Sequence, residues 1–280
     1  MAIFKSKPQR IIKKARDMAR DDMVDQAAVL IEEEIETILE DREVTRQIIP
    51  FLMDIGHPDL AARLSERVIK AYSDLRSGVV KILEEKLGQY ARSTELLRVL
   101  WRFRLRSKDY NGMIDLLSTV DRLTESRFTD SIESTYNAQA GFSGEEIRNT
   151  EPFLAMAVVL YRKGRAAEAV EVLAETAERS PFPDESLARL SGWIANRTGG
   201  VDMDVNLGWI RTLVALSDTD RAVAELGTLF QADQETLEKA IAITERSLVR
   251  ADTSGRASIA LARLMAAAGR IGDACTILEG

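Results

Sequence analysis

The chain is poor in the residues that staple small folds. Its 280 residues include a single cysteine, Cys275, and a single histidine, His57. One cysteine cannot close an internal disulfide, and together with one histidine it leaves too few soft ligands for a Cys/His zinc site. Proline (6) and glycine (16) are also sparse, while 45% of the residues are hydrophobic, so the composition is not that of a disordered chain. The longest apolar run, Phe153 to Tyr161, has nine residues, well short of the ~20 that a membrane span requires. Met1 to Phe4 is too short for the apolar core of a signal peptide. The expectation is a cytoplasmic protein, held by packing alone and long enough to bury a continuous core.

Charge is present but unevenly placed. The net charge is -7, yet residues 1–20 carry seven basic side chains against Asp17 alone, and residues 21–43 carry ten acidic groups against Arg42 alone. The acidic run, with Glu32, Glu33, Glu34 and Glu36, should attract the preceding basic helix or a basic partner. Nucleic acid is not an expected partner, because phosphate binding draws on Lys and Arg spread over one surface and the pI is near 5.1. The N-terminal segment sets Ile11, Ile12, Ala15 and Met18 opposite Lys7, Lys13, Lys14 and Arg20. Its apolar side is small, so packing against the next, acidic helix is favoured over contact with a membrane surface.

Apolar residues recur at three- and four-residue spacing, as in Ile12, Ala15, Met18 and Ala19, and no clean period-two stretch appears. This predicts an all-α protein. Pro8, Pro58 and Pro152 fall in the first turns of candidate helices, and Pro181 and Pro183 lie between two of them. Pro50 interrupts Glu43 to Ile55 and predicts a kink there or a helix ending near Ile49. Ser6 with Gln9 and Ser143 with Glu146 have the spacing of capping boxes, and Asp184 stands where a helix cap belongs.

Aligning the short turns reveals a repeat. A small or apolar residue lies early in the second helix of each pair: Ala27, Ala61, Met113, Ala169, Ala222 and Ala274, at separations of 34, 52, 56, 53 and 52 residues. The longer intervals leave room for an additional helix, predicted at Val79 to Leu87, Phe128 to Tyr136, Leu187 to Ile194 and Leu237 to Val249. The segment 137–150, with Gly141 and Gly144, is the expected seam within one continuous domain, 1–280. Residues 151–280 hold 23 of the alanines against 11 before them, which permits tighter helix packing there. The sequence ends at Leu278, Glu279 and Gly280, before a complete last helix is expected, which leads to the expectation of a continuation or a covering partner beyond Gly280.

With the anchors in register, residues 151–181 resemble the tetratricopeptide repeat (TPR) superfamily. Phe153, Met156, Ala157, Leu160, Gly164, Ala169, Leu173 and Pro181 match its aromatic, apolar, small, turn-glycine and closing-proline positions. Leu261, Ala262, Met265, Gly269, Ala274 and Leu278 repeat part of the pattern. The resemblance implies a right-handed α-solenoid of TPR-like helical hairpins, here with extra helices between repeats, whose first helices line an open hollow side.

No constellation for catalysis, metal or cofactor emerges. Asp202, Asp204, Asn206 and Gly208 resemble the start of a calcium loop, but Leu213 stands where a bidentate glutamate is needed. Ser143 lacks the spacing of a nucleophile elbow, and there is no phosphate-binding or dinucleotide glycine motif. Glu32 to Glu36 read as a solvated acidic face, His57 in Gly56-His-Pro58 as a turn residue, and Cys275, in line with Ile271 and Leu278, as a buried small hydrophobe. Asn196-Arg-Thr198 is a glycosylation sequon in pattern only.

The sharper signal is arginine. In the register the resemblance implies, Arg16, Arg46, Arg98, Arg102, Arg162, Arg211 and Arg263 fall on the inner face of first helices. Arg98, Arg102 and Arg106, spaced by four, share a face beside Trp101. The candidate peptide-binding set is therefore Arg46, Arg98, Trp101, Arg102, Arg106, Arg162, Arg211 and Arg263. A planar guanidinium binds carboxylates at two points, which suits an acidic peptide or a C-terminal carboxylate. The competing reading pairs the same arginines with Glu43, Glu95, Glu151 and Asp204 of their own helices. The leading expectation is a non-enzymatic scaffold that takes a protein or peptide partner. The alternatives are a regulatory or sensor segment of a larger enzyme and a self-assembling homo-oligomeric subunit.

Overall fold

The computed structural model describes residues 6–140, 146–199, 201–249 and 255–279, and among them all regular structure is helical. The chain divides into two compact units, Met1–Asp130 and Ser131–Gly280. The first contains α1 (Lys7–Arg20), α2 (Val24–Glu33), the short α3 (Ile35–Ile38) and α4 (Arg42–Thr45), α5 (Ile48–Asp54), α6 (Pro58–Ala71), α7 (Arg76–Leu87), α8 (Thr94–Arg106) and α9 (Tyr110–Thr119). The boundary lies inside α10 (Arg122–Ala140). The second unit contains α11 (Glu151–Arg162), α12 (Ala166–Arg179), α13 (Glu185–Arg197), α14 (Met203–Ala215), α15 (Thr219–Glu225), α16 (Gln234–Ile243), α17 (Arg256–Ala267) and α18 (Ile271–Glu279). A 3₁₀ turn at Leu226–Leu229 prolongs α15, and a π turn at Thr244–Leu248 prolongs α16. Each of the four additional helices expected from the spacing is present, as α7, α10, α13 and α16.

One turn is built six times. Asp22, Gly56, Lys108, Gly164, Ser217 and Gly269 all have φ between 59° and 85°, and each stands five residues before one of the anchors. The following N–H donates to the carbonyl five residues back: Met23 to Met18, His57 to Leu52, Asp109 to Arg104, Arg165 to Leu160, Asp218 to Leu213 and Arg270 to Met265. This is the hydrogen bond of a helix ending in a left-handed residue, which satisfies the last carbonyls of one helix while the chain reverses. The anchor N–H then donates to the carbonyl of the donor just named, as Ala169 does to Arg165 at 3.0 Å, opening the second helix. All six anchors are buried, five of them completely. Five of the six are alanine, which suits the close approach of the two helices just past their turn.

Packing follows a common order. In the first unit α5 packs on α6, α6 on α8, α7 on α8 and α8 on α9; in the second, α11 packs on α12, α12 and α13 on α14, and α14 on α15. Two glycines of the second unit permit close contacts of this kind. A Cβ on Gly208 of α14 would lie 2.8 Å from Val170 Cγ1 of α12, and one on Gly192 of α13 would meet the Trp209 indole at 3.1 Å.

The basic α1 buries Pro8, Ile11, Ile12 and Ala15, and α1 packs on α2 and α3, so its apolar side is consumed within the unit. Lys7 reaches Glu34 at 3.9 Å. Glu32 of α2 and Glu36 of α3 face α6 instead, where Arg63 pairs with the first and Arg67 with the second. Ser6 and Gln9 form the expected capping box, and Asp184 caps α13. No helix among the described residues is long and apolar enough to cross a membrane.

Two expectations need correction. Pro50 neither kinks a helix nor ends one at Ile49: the chain breaks earlier, at Arg46 and Gln47, and Pro50 sits in the first turn of α5, where its missing N–H costs nothing. Cys275 is exposed, and so are Ile271 and Leu278 at 66% and 62%, because only Ala274 of α18 is buried, against α17. Asp202 caps α14 by accepting from the Val205 N–H at 3.2 Å, so the calcium-like residues belong to a helix start. The proposed cap at Ser143 and the glycines Gly141 and Gly144 lie outside the described residues.

Candidate functional site

The first helix of each hairpin ends at its turn, so its outward positions are fixed relative to the anchor. Arg16, Arg102, Arg211 and Arg263 each lie eleven residues before one. Their surroundings differ sharply.

In the first unit Arg16 donates to Gln47 at 2.7 Å and, with Arg46, Pro50 and Phe51, lines a hollow of about 470 Å³. Its two acids are both engaged, Glu43 with Arg42 at 3.1 Å and Asp54 with Lys86 at 3.2 Å. Arg46 is exposed and has no carboxylate partner among the described residues. On α8, Arg98 pairs with Glu95 at 2.5 Å, as the competing reading expected, while Arg102 stands 3.7 Å from Glu66 of α6. Arg106, one turn on, is exposed and without such a partner among the described residues.

Trp101 departs from its expected role. It is 4% exposed, and its ring meets Phe128 of α10 edge-on at 5.3 Å. The additional helix supplies that contact, so Trp101 belongs to the core and offers no face to a ligand. Sequence spacing also passed over Arg104, on the other side of α8, which bridges Glu84 of α7 at 2.5 Å and the cap residue Asp109 of α9. Its signal was the Asp109 cap itself, since a carboxylate at a helix start beside the preceding helix attracts a cation.

In the second unit Arg162 is exposed at the end of α11. Arg211 is fully occupied: Nε and Nη2 donate to the two carboxylate oxygens of Glu178 at 2.9 Å each, and Nη1 donates to Glu171 at 2.6 Å. Glu178 first, and then Glu171, hold this guanidinium well above the ordinary arginine value, against the opposing effect of its partial burial. The surrounding groove of about 550 Å³ lies along α12 and α14, and α16 adds Lys239, Ala242 and Ile243 to it. Here the expected open side carries one of the chain's own additional helices, and Arg211 is withdrawn from any ligand.

Arg263 is the opposite case. It is exposed, it has no carboxylate partner among the described residues, and it borders a groove of about 240 Å³ with Val223, Ala224, Gly227, Phe230, Ile259 and Ala260. Arg256 lines the same groove, 3.7 Å from Asp220. Elsewhere His57 Nε2 lies 3.3 Å from Asp25, and no group of three or more His, Cys, Asp or Glu suited to a metal occurs among the described residues. The Arg263 groove sets guanidinium donors beside apolar surface.

No family model matches the chain, and no curated protein matches its sequence.

Proposed function

We propose that this chain is a helical-repeat interaction module of the tetratricopeptide kind, a right-handed solenoid of hairpins with additional helices. In this reading it has no enzymatic activity of its own, works in the cytoplasm without nucleic acid, and binds an acidic protein segment. The six equivalent turns, each with a buried anchor, support the repeat reading. The observation that carries the binding reading is that Arg46, Arg106 and Arg263 stay exposed and, among the described residues, without carboxylate partners in a chain of net charge -7. In so acidic a chain partners are plentiful, and the other arginines named above largely find them.

The test is a pull-down from an acidic peptide pool with the wild type and with Arg46, Arg106 and Arg263 all reversed to Glu. The reading expects capture by the wild type alone. Equal capture by both overturns it.

Self-assembly is favoured by one separate observation, the exposed Ile271 and Leu278 of α18. Sedimentation across a concentration series decides it: a mass that rises with concentration and reverts on Leu278→Glu supports assembly through α18, and a constant monomer mass removes it.

A further inference from the structure

The grooves at Arg211 and at Arg263 are the same place in successive repeats. Asp204, Leu207, Gly208 and Arg211 line the first, and Arg256, Ile259, Ala260 and Arg263, each 52 residues later, line the second. On the other wall Glu171 of α12 corresponds, 53 residues later, to Ala224. By the same offset Glu178, the two-point partner of Arg211, becomes Gln231.

At these positions the acids are lost, while Ala167 of the first groove corresponds to Asp220, 3.7 Å from Arg256. Both carboxylates that hold Arg211 are replaced by residues without charge, and Asp204 is replaced by Arg256. Arg102 repeats the contrast in the first unit: it lies 3.7 Å from Glu66 of the preceding α6, and Glu66, five residues after its anchor, corresponds to Gly227 in the Arg263 groove. Thus an arginine eleven residues before its anchor meets an acid of the preceding helix at Arg102 and at Arg211. At Arg263 every corresponding acid is gone. In their place are open space, an exposed Ile259, a half-buried Phe230 and a second guanidinium.

We infer that the Arg263 groove takes a carboxylate side chain from an acidic, partly apolar segment of another protein, seated on Arg263 as Glu178 is seated on Arg211. The partner's apolar side chain rests on Val223, Phe230 and Ile259. Two points of contact with one guanidinium select a carboxylate over a neutral amide. The groove, at about 240 Å³, has room for about one side chain of this size, so the recognised feature is short. This assignment rests on the reading of the chain as a peptide-binding module and specifies where and what it binds.

The experiment is a fluorescence-anisotropy titration of the full chain with a labelled peptide containing Leu-Glu-Glu-Leu, and with versions holding Gln or Lys in place of Glu. The wild type is expected to bind the Glu peptide and to bind the Gln version about tenfold more weakly, the usual scale for losing a charge-assisted hydrogen bond. Arg263→Glu should lose the Glu peptide and gain the Lys peptide, a reversal that no loss of folding produces. Ala224→Glu combined with Gln231→Glu should weaken binding although Arg263 is retained, because it rebuilds the acids found at Arg211. The assignment is overturned if Arg263→Glu binds the Glu peptide as the wild type does. If Arg46→Glu or Arg106→Glu abolishes binding in that case, peptide recognition stands and only its location falls. If the wild type binds none of the peptides, or all three alike, both fall.

Discussion

Arg211 and Glu178 are joined by two parallel hydrogen bonds of 2.9 Å, tying α14 to α12. The Arg211 side chain is only 22% exposed, and Glu171 adds a third bond at 2.6 Å. Two-point pairs with this degree of shielding are the surface ion pairs that contribute measurably. Arg211→Met is expected to cost about 1 kcal/mol. The same change at Arg263, which has no carboxylate partner among the described residues, should stay within about 0.5 kcal/mol. Urea denaturation of the two variants checks this, and equal losses would contradict the distinction between an occupied and an open arginine.

The six turns make a prediction about backbone strain. Lys108 and Ser217 have φ of 59° where Gly164 and Gly269 have 78°. A side chain in the left-handed region costs about 1 kcal/mol. Lys108→Gly and Ser217→Gly should therefore raise stability by up to about 1 kcal/mol, less the entropy glycine adds to the unfolded chain. Gly164→Ala should lower it by about 1 kcal/mol. No atom stands within 4 Å of a Cβ at Gly164, so that loss is conformational and no shortening of a neighbour will rescue it. Thermal unfolding midpoints of the three variants are the measurement.

Gly208 supplies the contrasting case, a glycine required by space. Its added Cβ would lie 2.8 Å from Val170 Cγ1. Gly208→Ala should cost about 1–3 kcal/mol, the range for overpacking a tight contact. Val170→Ala in the same chain should recover part of it. A double-mutant cycle measures the coupling, and additive losses would show that α12 and α14 do not meet there.

Two helix caps predict the acid side of the stability profile. The Thr236 backbone N–H holds the Asp233 carboxyl below its ordinary value, and the Thr124 backbone N–H does the same for Asp121. A carboxyl depressed in the folded state adds stability that is complete above its unfolded pKa, about 3.9, and is lost as the pH falls through the folded value. Asp233→Asn and Asp121→Asn keep a capping oxygen, so stability at neutral pH should change little while the decline on acidification becomes shallower. Denaturant midpoints measured from neutral to acid pH test the sign. A steeper decline in the variants would refute it.

Much of the architecture was legible because it depends on local chemistry. Ala27, Ala61, Met113, Ala169, Ala222 and Ala274 could be placed from the sequence because a residue next to a tight helical turn has little room, and five of the six are small. The additional helices followed from the intervals alone. The details that escaped depend on partners distant in sequence. Trp101 reads as a surface residue because it stands beside Arg98 and Arg102 on α8; Phe128 of α10 is what covers its ring. Cys275 was read as buried because Ile271 and Leu278 lie in line with it, but periodicity shows only that a face exists and not that anything covers it. Arg46, Arg106 and Arg263 could not be separated from Arg98, Arg102 and Arg211, since pairing at Arg102 and Arg211 is decided by Glu66, Glu171 and Glu178 on the preceding helix.

The central claim is that one repeat position is satisfied internally at Arg211 and left open at Arg263, and the arginine side-chain N–H signals test it most directly. In NMR spectra of the full chain, the Arg211 Nε–H should exchange slowly with water and stay unmoved when the Leu-Glu-Glu-Leu peptide is added. The Arg263 signal should exchange fast alone, then shift and gain protection with the peptide. If the two signals exchange at the same rate, or if the peptide moves neither, the account is wrong.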